Sequence, residues 1–472
     1  MSEGGILDRR HRALTVGAVL AVSIVAFEAL ALTTVAPTIA RSLGGLGLYA
    51  WIFSAFLLAQ IVGAVAAGGQ ADRRGPAKPF LVSLALLGAG LLAGALSPNM
   101  LILILARALQ GLGGGALVTC VYAIINTSYP DALRPRMLAA FSSAFVLPAL
   151  VGPTVAGFVA EQFTWRAVFY GLLPLLLAVG LLTAPAFGRL VPSSAKGTDY
   201  TPTRNRLPSA ILLAAGTGVL LTGLKVAAEE GRSFAGLEPA TVGLPLAGAG
   251  LLVTIPALRN VLPAGTLVAR EGLPATIAAK GLLASGYFYT EVYLILALTE
   301  SSGYTAITAG LVVSAGALSW TTATWIQERL DKRNEGHGRR ARTLFGVLLV
   351  SAGVSVLAAA VFAGALSLAL ALAGWVISGL GMGLANPASL TIAFAHAPDG
   401  REGAVSSAVL ISELFFPATS IGVGGALVAL GAAAGEPQSG VITAFVLSPI
   451  LVALALILAR RLPREASRTA EC

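Results

Sequence analysis

Charge is what this chain has least of. Asp, Glu, Lys and Arg together make up 11% of its 472 residues, against about 25% in an ordinary soluble domain. That scarcity excludes a soluble α/β enzyme, which does not string together many uncharged runs of about 20 residues. Histidine is nearly absent: His11, His337 and His396 all lie in tails or loops. With no Ser/His/Asp set and no H-E-x-x-H, an intramembrane hydrolase or acyltransferase lacks its parts, and no catalytic residues are expected. The two cysteines, Cys120 in an apolar run and Cys472 at the end, supply neither a disulfide framework nor metal-ligand spacing. Cys472 is also not placed for prenylation. No G-x-x-x-x-G-K-[ST] loop is present, so ATP does not drive the protein directly and no cofactor is expected.

What is present is apolar. Hydrophobic residues make up 56% of the chain and the mean hydropathy is +0.84, the composition of a polytopic membrane protein. Fourteen spans are expected, at about 14–37, 48–69, 79–97, 100–124, 137–160, 167–187, 207–227, 240–258, 273–298, 303–328, 341–363, 366–394, 403–431 and 438–461. All should be helices, because lipid offers no partner to an unpaired backbone group. The first run is too long for the apolar core of a cleaved signal, so it counts as a span.

The net charge of +9 could suggest nucleic acid, but its placement reads as topology instead. Of the 31 basic residues, 25 fall in one set of alternate connecting segments; the other set holds only Arg41, Arg166 and Arg232. The positive-inside rule then places both termini in the cytoplasm. Arg outnumbers Lys 26 to 5 and Ala and Gly are abundant, which reads as a GC-rich bacterial genome and hence a bacterial cytoplasmic membrane.

The chain is organised around Leu105–Gly115, LARALQGLGGG, which buries Arg107 and Gln110 in an apolar run. An arginine there costs at least about 2.5–3.5 kcal/mol without a partner or water. Gly111 and Gly115 form a face that lets another helix approach closely. The stretch recurs 268 residues later, where Ser378-Gly-Leu-Gly-Met-Gly383 echoes Gln110–Gly115 and Trp375 stands at the place of Arg107. Two related halves, one of which has lost the charge, are the pattern of a transporter built from repeats. The offset pairs span 4 with span 12, giving a six-helix half over 1–187, a linker (188–206) and two inserted helices within 188–272, and a six-helix half with a short tail over 273–472.

Three acids lie within spans. Glu28 in span 1 sits about 21 Å above the cytoplasmic start of its helix, and Arg107 about 10 Å below the outer end of span 4, where that span begins. In a core of about 30 Å the two are nearly level and can meet. Burial raises a carboxyl's proton affinity and a nearby cation lowers it, so such a carboxyl can load and release a proton as the cation moves. The competing reading is a static ion pair that orients two helices. Lys280, Tyr287 and Glu291 share one helix face in span 9, with Lys280 and Glu291 about 16 Å apart along the axis. That face, with Glu413 in span 13 and Gln110, is read as lining a substrate cavity. Tyr287, Tyr289 and Tyr293 would surround Glu291, a lining suited to lipophilic cations. Glu291 could instead lie in water near the outer surface.

The loop after span 2 reads Gly68-Gly-Gln-Ala-Asp72-Arg73-Arg74-Gly75. This resembles the G-x-x-x-D-R-x-G signature of the major facilitator superfamily, in which the loop latches the cytoplasmic side; Gly68, Asp72, Arg73 and Gly75 are its matching positions. Glu28, nine residues before Pro37, resembles the acid of span 1 in that superfamily's fourteen-span drug:proton antiporter branch, where Asp is usual. Gly152-Pro153 and Gly157 in span 5 resemble the antiporter motif, with Pro148 and Ala156 departing from it; a simple packing kink is the rival reading. Trp165-Arg166-Ala-Val-Phe169 followed by Pro174 resembles that branch's span 6 and is read as an interfacial anchor. The resemblance implies an all-α major facilitator fold. It also implies a monomeric proton-coupled exporter of lipophilic or cationic small molecules, with the proton as coupling ion and the bilayer as its other partner. A symporter or a lipid or metabolite exporter of the same fold, and a non-transporting membrane protein, remain open at this point.

Overall fold

A computed structural model describes residues 5–8, 11–130, 132–187, 206–229, 238–398 and 402–463. The linker at 188–206 lies, apart from Arg206, outside the described residues. The helices in order are α1 (Arg12–Ser42), α2 (Trp51–Arg74), α3 (Ala77–Ala95), α4 (Met100–Ser128), α5 (Arg134–Ser143), α6 (Val146–Gln162), α7 (Trp165–Phe187) and α8 (Leu207–Ala227). They continue with α9 (Pro239–Val261), α10 (Leu273–Leu296), α11 (Ala306–Arg333), α12 (Arg339–Phe362), α13 (Leu368–Ala395), α14 (Glu402–Ala433), α15 (Pro437–Phe445) and α16 (Leu447–Ala459). Among the described residues, fourteen stretches are long and apolar enough to cross a membrane. Span 5 is broken between α5 and α6, and span 14 between α15 and α16.

Two expected boundaries move. Helix α1 does not stop at Pro37 but carries it inside and runs to Ser42. A single proline removes one helical hydrogen bond, which the packed flanks of a long apolar helix tolerate. Helix α2 likewise extends through Arg74, so Gly68, Asp72 and Arg73 sit on its last turns rather than in a loop. Gly75 ends it at φ 78°, a left-handed backbone that only glycine adopts freely.

The described chain divides into two compact units. The first comprises 1–223, 245–257 and 305–311. Its centre is α4, which packs on α2 and α3, while α1 packs on α6 and α7. The inserted helices α8 and α9 meet in this unit at small residues: a Cβ added at Gly250 would lie 2.3 Å from the Leu220 amide nitrogen. The second unit comprises 224–244, 258–304 and 312–472. Its most enclosed span is α10, surrounded by α14, α16 and α13.

The 268-residue repeat is visible in three dimensions. Helix α4 is capped by Asn99, whose side chain accepts from the Ile102 amide at 3.0 Å, and α13 by Ser367, which accepts from Leu370 at 3.3 Å. A Cβ at Gly111 or Gly115 would lie 2.2 or 2.1 Å from the carbonyl oxygens of Phe56 and Gln60 on α2. At Gly379 and Gly383 it would lie 2.4 and 2.3 Å from those of Gly316 and Trp320 on α11. In each unit, glycines therefore seat the repeat helix against the backbone of its neighbour.

Candidate functional site

Arg107 is 1% exposed and Glu28 3%. The repeat glycines draw α4 onto α2, which brings Arg107 under the α2 backbone, where its Nε donates to the Ile52 carbonyl at 3.0 Å. Its Nη1 pairs with Glu28 Oε1 and also donates to Gln110 Oε1, one turn along α4. The guanidinium lies 4.2 Å from the centre of the Phe56 ring, a cation–π contact. Gln110 is held in turn by its Nε2, which donates to the Gly90 carbonyl on α3 at 2.8 Å. Glu28 Oε2 is buried and makes no hydrogen bond within the protein. The pairing of Glu28 with Arg107 was legible from helix depth. Ile52 and Phe56 were not, because a backbone carbonyl and an ordinary apolar ring leave no sequence signal.

The equivalent place in the second unit is filled differently. Trp375, 1% exposed, replaces Arg107 and stacks on Tyr287 at 4.5 Å between ring centres. Gly316 stands opposite it, and a Cβ there would lie 2.2 Å from the indole nitrogen. On the 260-residue offset that relates α2 to α11, Gly316 matches Phe56. The large ring has therefore moved from the α2-type helix to the α4-type helix, and a cation has been exchanged for an indole.

The remaining candidates are dispersed. Lys280, 2% exposed, does not stand alone on its face but pairs with Glu413 Oε1 at 3.0 Å and donates to the Asn386 backbone oxygen at 3.1 Å and to its side-chain oxygen. Asn386 went unnoticed, although an amide in the apolar run Leu384-Ala-Asn-Pro387 was the signal that could have found it. Tyr287 and Glu291 are buried further along α10. Of the three tyrosines expected around Glu291, Tyr287 stands one turn away on the same face, while the hydroxyls of the other two are spent on backbone carbonyls. Tyr289 and Tyr293 stack on each other and donate to the carbonyls of Ala444 and Ile421, while Tyr287 packs against Trp320 and Trp375. Alternate residues of a helix point to different sides, so a Tyr-x-Tyr run cannot share one target.

Gly152 lies beside Phe27 of α1, and Pro153 and Gly157 lie against the start of α11. A Cβ at Gly157 would be 2.8 Å from the Ala306 oxygen, and one at Gly310 2.6 Å from the Pro153 oxygen. Glu161, one turn past Gly157, accepts from the Ile307 amide at 2.8 Å and so caps the start of α11. The bent, glycine-faced end of α6 thus has a named partner. Trp165, read as an interfacial anchor, is instead 3% exposed, with Arg166 folded over its ring and donating to the Ser97 carbonyl at 2.9 Å. Among the described residues no group of three or more His, Cys, Asp or Glu could hold a metal ion.

The Major Facilitator Superfamily profile matches residues 18–415. The chain belongs to the major facilitator superfamily. Among its relatives is a probable multidrug-efflux transporter of Mycobacterium tuberculosis, 28% identical over 404 residues that cover 83% of this chain and 82% of the relative. Another is the multidrug efflux pump LfrA of Mycolicibacterium smegmatis, 28% identical over 365 residues that cover 76% and 68%. The fold is shared with a D-xylose–proton symporter crystal structure (TM-score 0.64, 12% identity, 97% of this chain and 99% of that one). It is also shared with a POT family transporter in complex with 5-aminolevulinic acid (TM-score 0.68, 14% identity, 97% of each chain). Among the described residues of this superfamily member, the repeat position that holds buried Arg107, paired with Glu28, in the first unit holds Trp375 in the second.

Proposed function

We propose that the protein is a proton-driven exporter of lipophilic, cationic small molecules that works by alternating access in a bacterial cytoplasmic membrane, with both termini cytoplasmic. The relatives named multidrug efflux transporters support the export of small molecules. The observation that carries the mechanism is the sealed cluster of Glu28, Arg107 and Gln110, with one Glu28 oxygen left without a partner in the protein.

Glu28 Oε2 is where a proton can be added without displacing a donor. Once it is added, the carboxyl loses its charge and its hold on Arg107 weakens. Arg107 is not stranded, because Ile52, Gln110 and the Phe56 ring still receive it. The contact that ties α1 to α4 is thereby released while the cation stays solvated by protein. The charge balance supplies the coupling. With Glu28 ionised the cluster is neutral; with Glu28 protonated it holds one uncompensated positive charge in a medium of low dielectric constant. A bound proton and a bound cationic substrate then disfavour each other, as antiport requires.

The test is substrate-triggered proton movement in proteoliposomes under an imposed pH gradient. Lipophilic cations should discharge the gradient in the wild type, and Glu28→Gln should lose at least nine-tenths of the rate, which corresponds to about 1.4 kcal/mol of coupling. Undiminished exchange in a folded Glu28→Gln would remove Glu28 as the proton carrier.

A further inference from the structure

The second unit contains a buried ion centre of the same chemistry as the first, on a different set of helices. Lys280 of α10 is 2% exposed; its ammonium donates to the Asn386 backbone oxygen of α13 at 3.1 Å and to the Asn386 side-chain oxygen, and forms an ion pair with Glu413 Oε1 of α14 at 3.0 Å. As in the first unit, a carboxylate, a cation and a side-chain amide oxygen meet inside the apolar layer. This is not the repeat copying itself, since Trp375 occupies the place of Arg107. The three groups come from three separate helices, so the unit holds a buried ammonium paired with a half-buried carboxylate where the fold does not require one.

The arrangement has the property that makes an ion pair switchable. If Glu413 is neutralised, Lys280 keeps both oxygens of Asn386 and is not left bare. Asn386 is itself braced, because Ser389 Oγ donates to its backbone oxygen at 2.9 Å. The two acids differ in access: the Glu413 side chain is 27% exposed, whereas that of Glu28 is 2% exposed. Of the two carboxyls, Glu413 is the less enclosed.

Few other titratable groups are near. Helices α13, α15 and α16 have no acidic, basic or tyrosine side chain within Leu368–Ala395, Pro437–Phe445 and Leu447–Ala459. On α10, Tyr287, Tyr289, Glu291 and Tyr293 lie about two to four turns beyond Lys280, and Arg270 and Glu271 stand just before its first turn. The short turns at either end of α10 add Glu300 alone, and the basic residues of α12, Arg339, Arg340 and Arg342, stand at its first turn.

We propose that Lys280, Glu413 and Asn386 form a second proton-coupling centre, so that two protons rather than one drive each cycle. The inference rests on the proton-driven reading of Glu28 given above. The Glu413 carboxylate takes a proton and its ion pair with Lys280 is lost; Lys280 keeps its three protons and the Asn386 oxygens; the proton leaves when the pair re-forms. Nothing is oxidised or reduced.

The experiment is a null-point titration in proteoliposomes with the membrane potential clamped at zero and tetraphenylphosphonium as the probe. For a tenfold gradient of the probe, flux stops at a pH difference of about 0.5 if two protons are exchanged and about 1 if one is exchanged. The wild type should null near 0.5, and Glu413→Gln near 1. The double variant Lys280→Met with Glu413→Gln, which leaves no lone buried charge, should also null near 1 and serves if the single variant does not fold. Proton release from detergent-solubilised protein on binding the probe is read in parallel. Two protons are expected for the wild type, one for Glu413→Gln or Glu28→Gln, and none when both are replaced. A ratio in Glu413→Gln equal to that of the wild type overturns the proposal, and if probe affinity alone falls, the pair belongs to substrate recognition. A wild-type ratio of one that only Glu28→Gln abolishes refutes the second centre and leaves the first standing. A wild type that moves the probe with no proton refutes both.

Discussion

Two neighbouring glycines on α4 should respond in opposite ways to the same methyl group. A Cβ at Gly111 would lie 2.2 Å from the Phe56 carbonyl oxygen and 3.0 Å from its Cα, both backbone atoms that cannot rotate away. A carbon and a carbonyl oxygen settle at about 3.3 Å or more, so α4 and α2 must part by about 1 Å at this level. Overpacking of that kind costs about 1–3 kcal/mol, and replacing Gly by Ala inside a helix returns up to about 1 kcal/mol. With the full return, the net expectation for Gly111→Ala is a loss of about 0–2 kcal/mol, which leaves it about 1–3 kcal/mol below a Gly114→Ala that gains the same return. At Gly114 the nearest atoms are Val25 Cγ1 at 3.5 Å and the tip of the Phe56 ring at 3.6 Å, ordinary contacts. Gly114→Ala should therefore be neutral or stabilising by up to about 1 kcal/mol. The separation should also reach the site, because the Ile52 carbonyl and the Phe56 ring that hold Arg107 both ride on α2. Equilibrium unfolding in mixed micelles measures the stabilities, and proton-coupled flux in proteoliposomes measures the function. Equal stability of the two variants within about 0.5 kcal/mol would refute the close-approach argument for the repeat glycines.

Other outcomes follow from the same geometry. Arg107→Gln strands a buried carboxylate and should destabilise the protein by about 3–5 kcal/mol, while the double replacement with Glu28→Gln should recover a large part of that; additive single effects in a double-mutant cycle would show that the pair is not coupled. Trp375→Ala should cost about 3–5 kcal/mol in unfolding measurements, since it empties the space the indole fills between Tyr287 and Gly316. Asp331 accepts from Arg339 at 2.6 and 2.8 Å and from Arg342 at 2.7 Å, about a quarter exposed, so Asp331→Asn should cost about 1 kcal/mol and cost less as salt is raised. Glu161→Gln replaces a charge at the start of α11 with a neutral amide and should cost about 0.3–1 kcal/mol in the same assay.

The membrane architecture was legible in the chain itself. Hydropathy sets the number of spans because lipid forbids irregular backbone, and the recurring glycine motif marked α4 and α13 because glycines must recur wherever helices touch backbone to backbone. The meeting of Glu28 with Arg107 could also be worked out, since helical rise alone puts them level. Tertiary structure decided the rest, for identifiable reasons. Pro37 and Asp72 lie inside helices because packed flanks carry a helix past residues that end it in isolation. The three tyrosines of α10 part company because their directions depend on which helices flank it. The partnership of Lys280 with Glu413 and Asn386 joins residues up to 133 positions apart, with no shared motif, and no one-dimensional spacing encodes it. Composition and periodicity specify which groups are buried in the apolar layer; only the packing of α10, α13 and α14 decides which of those buried charges find one another.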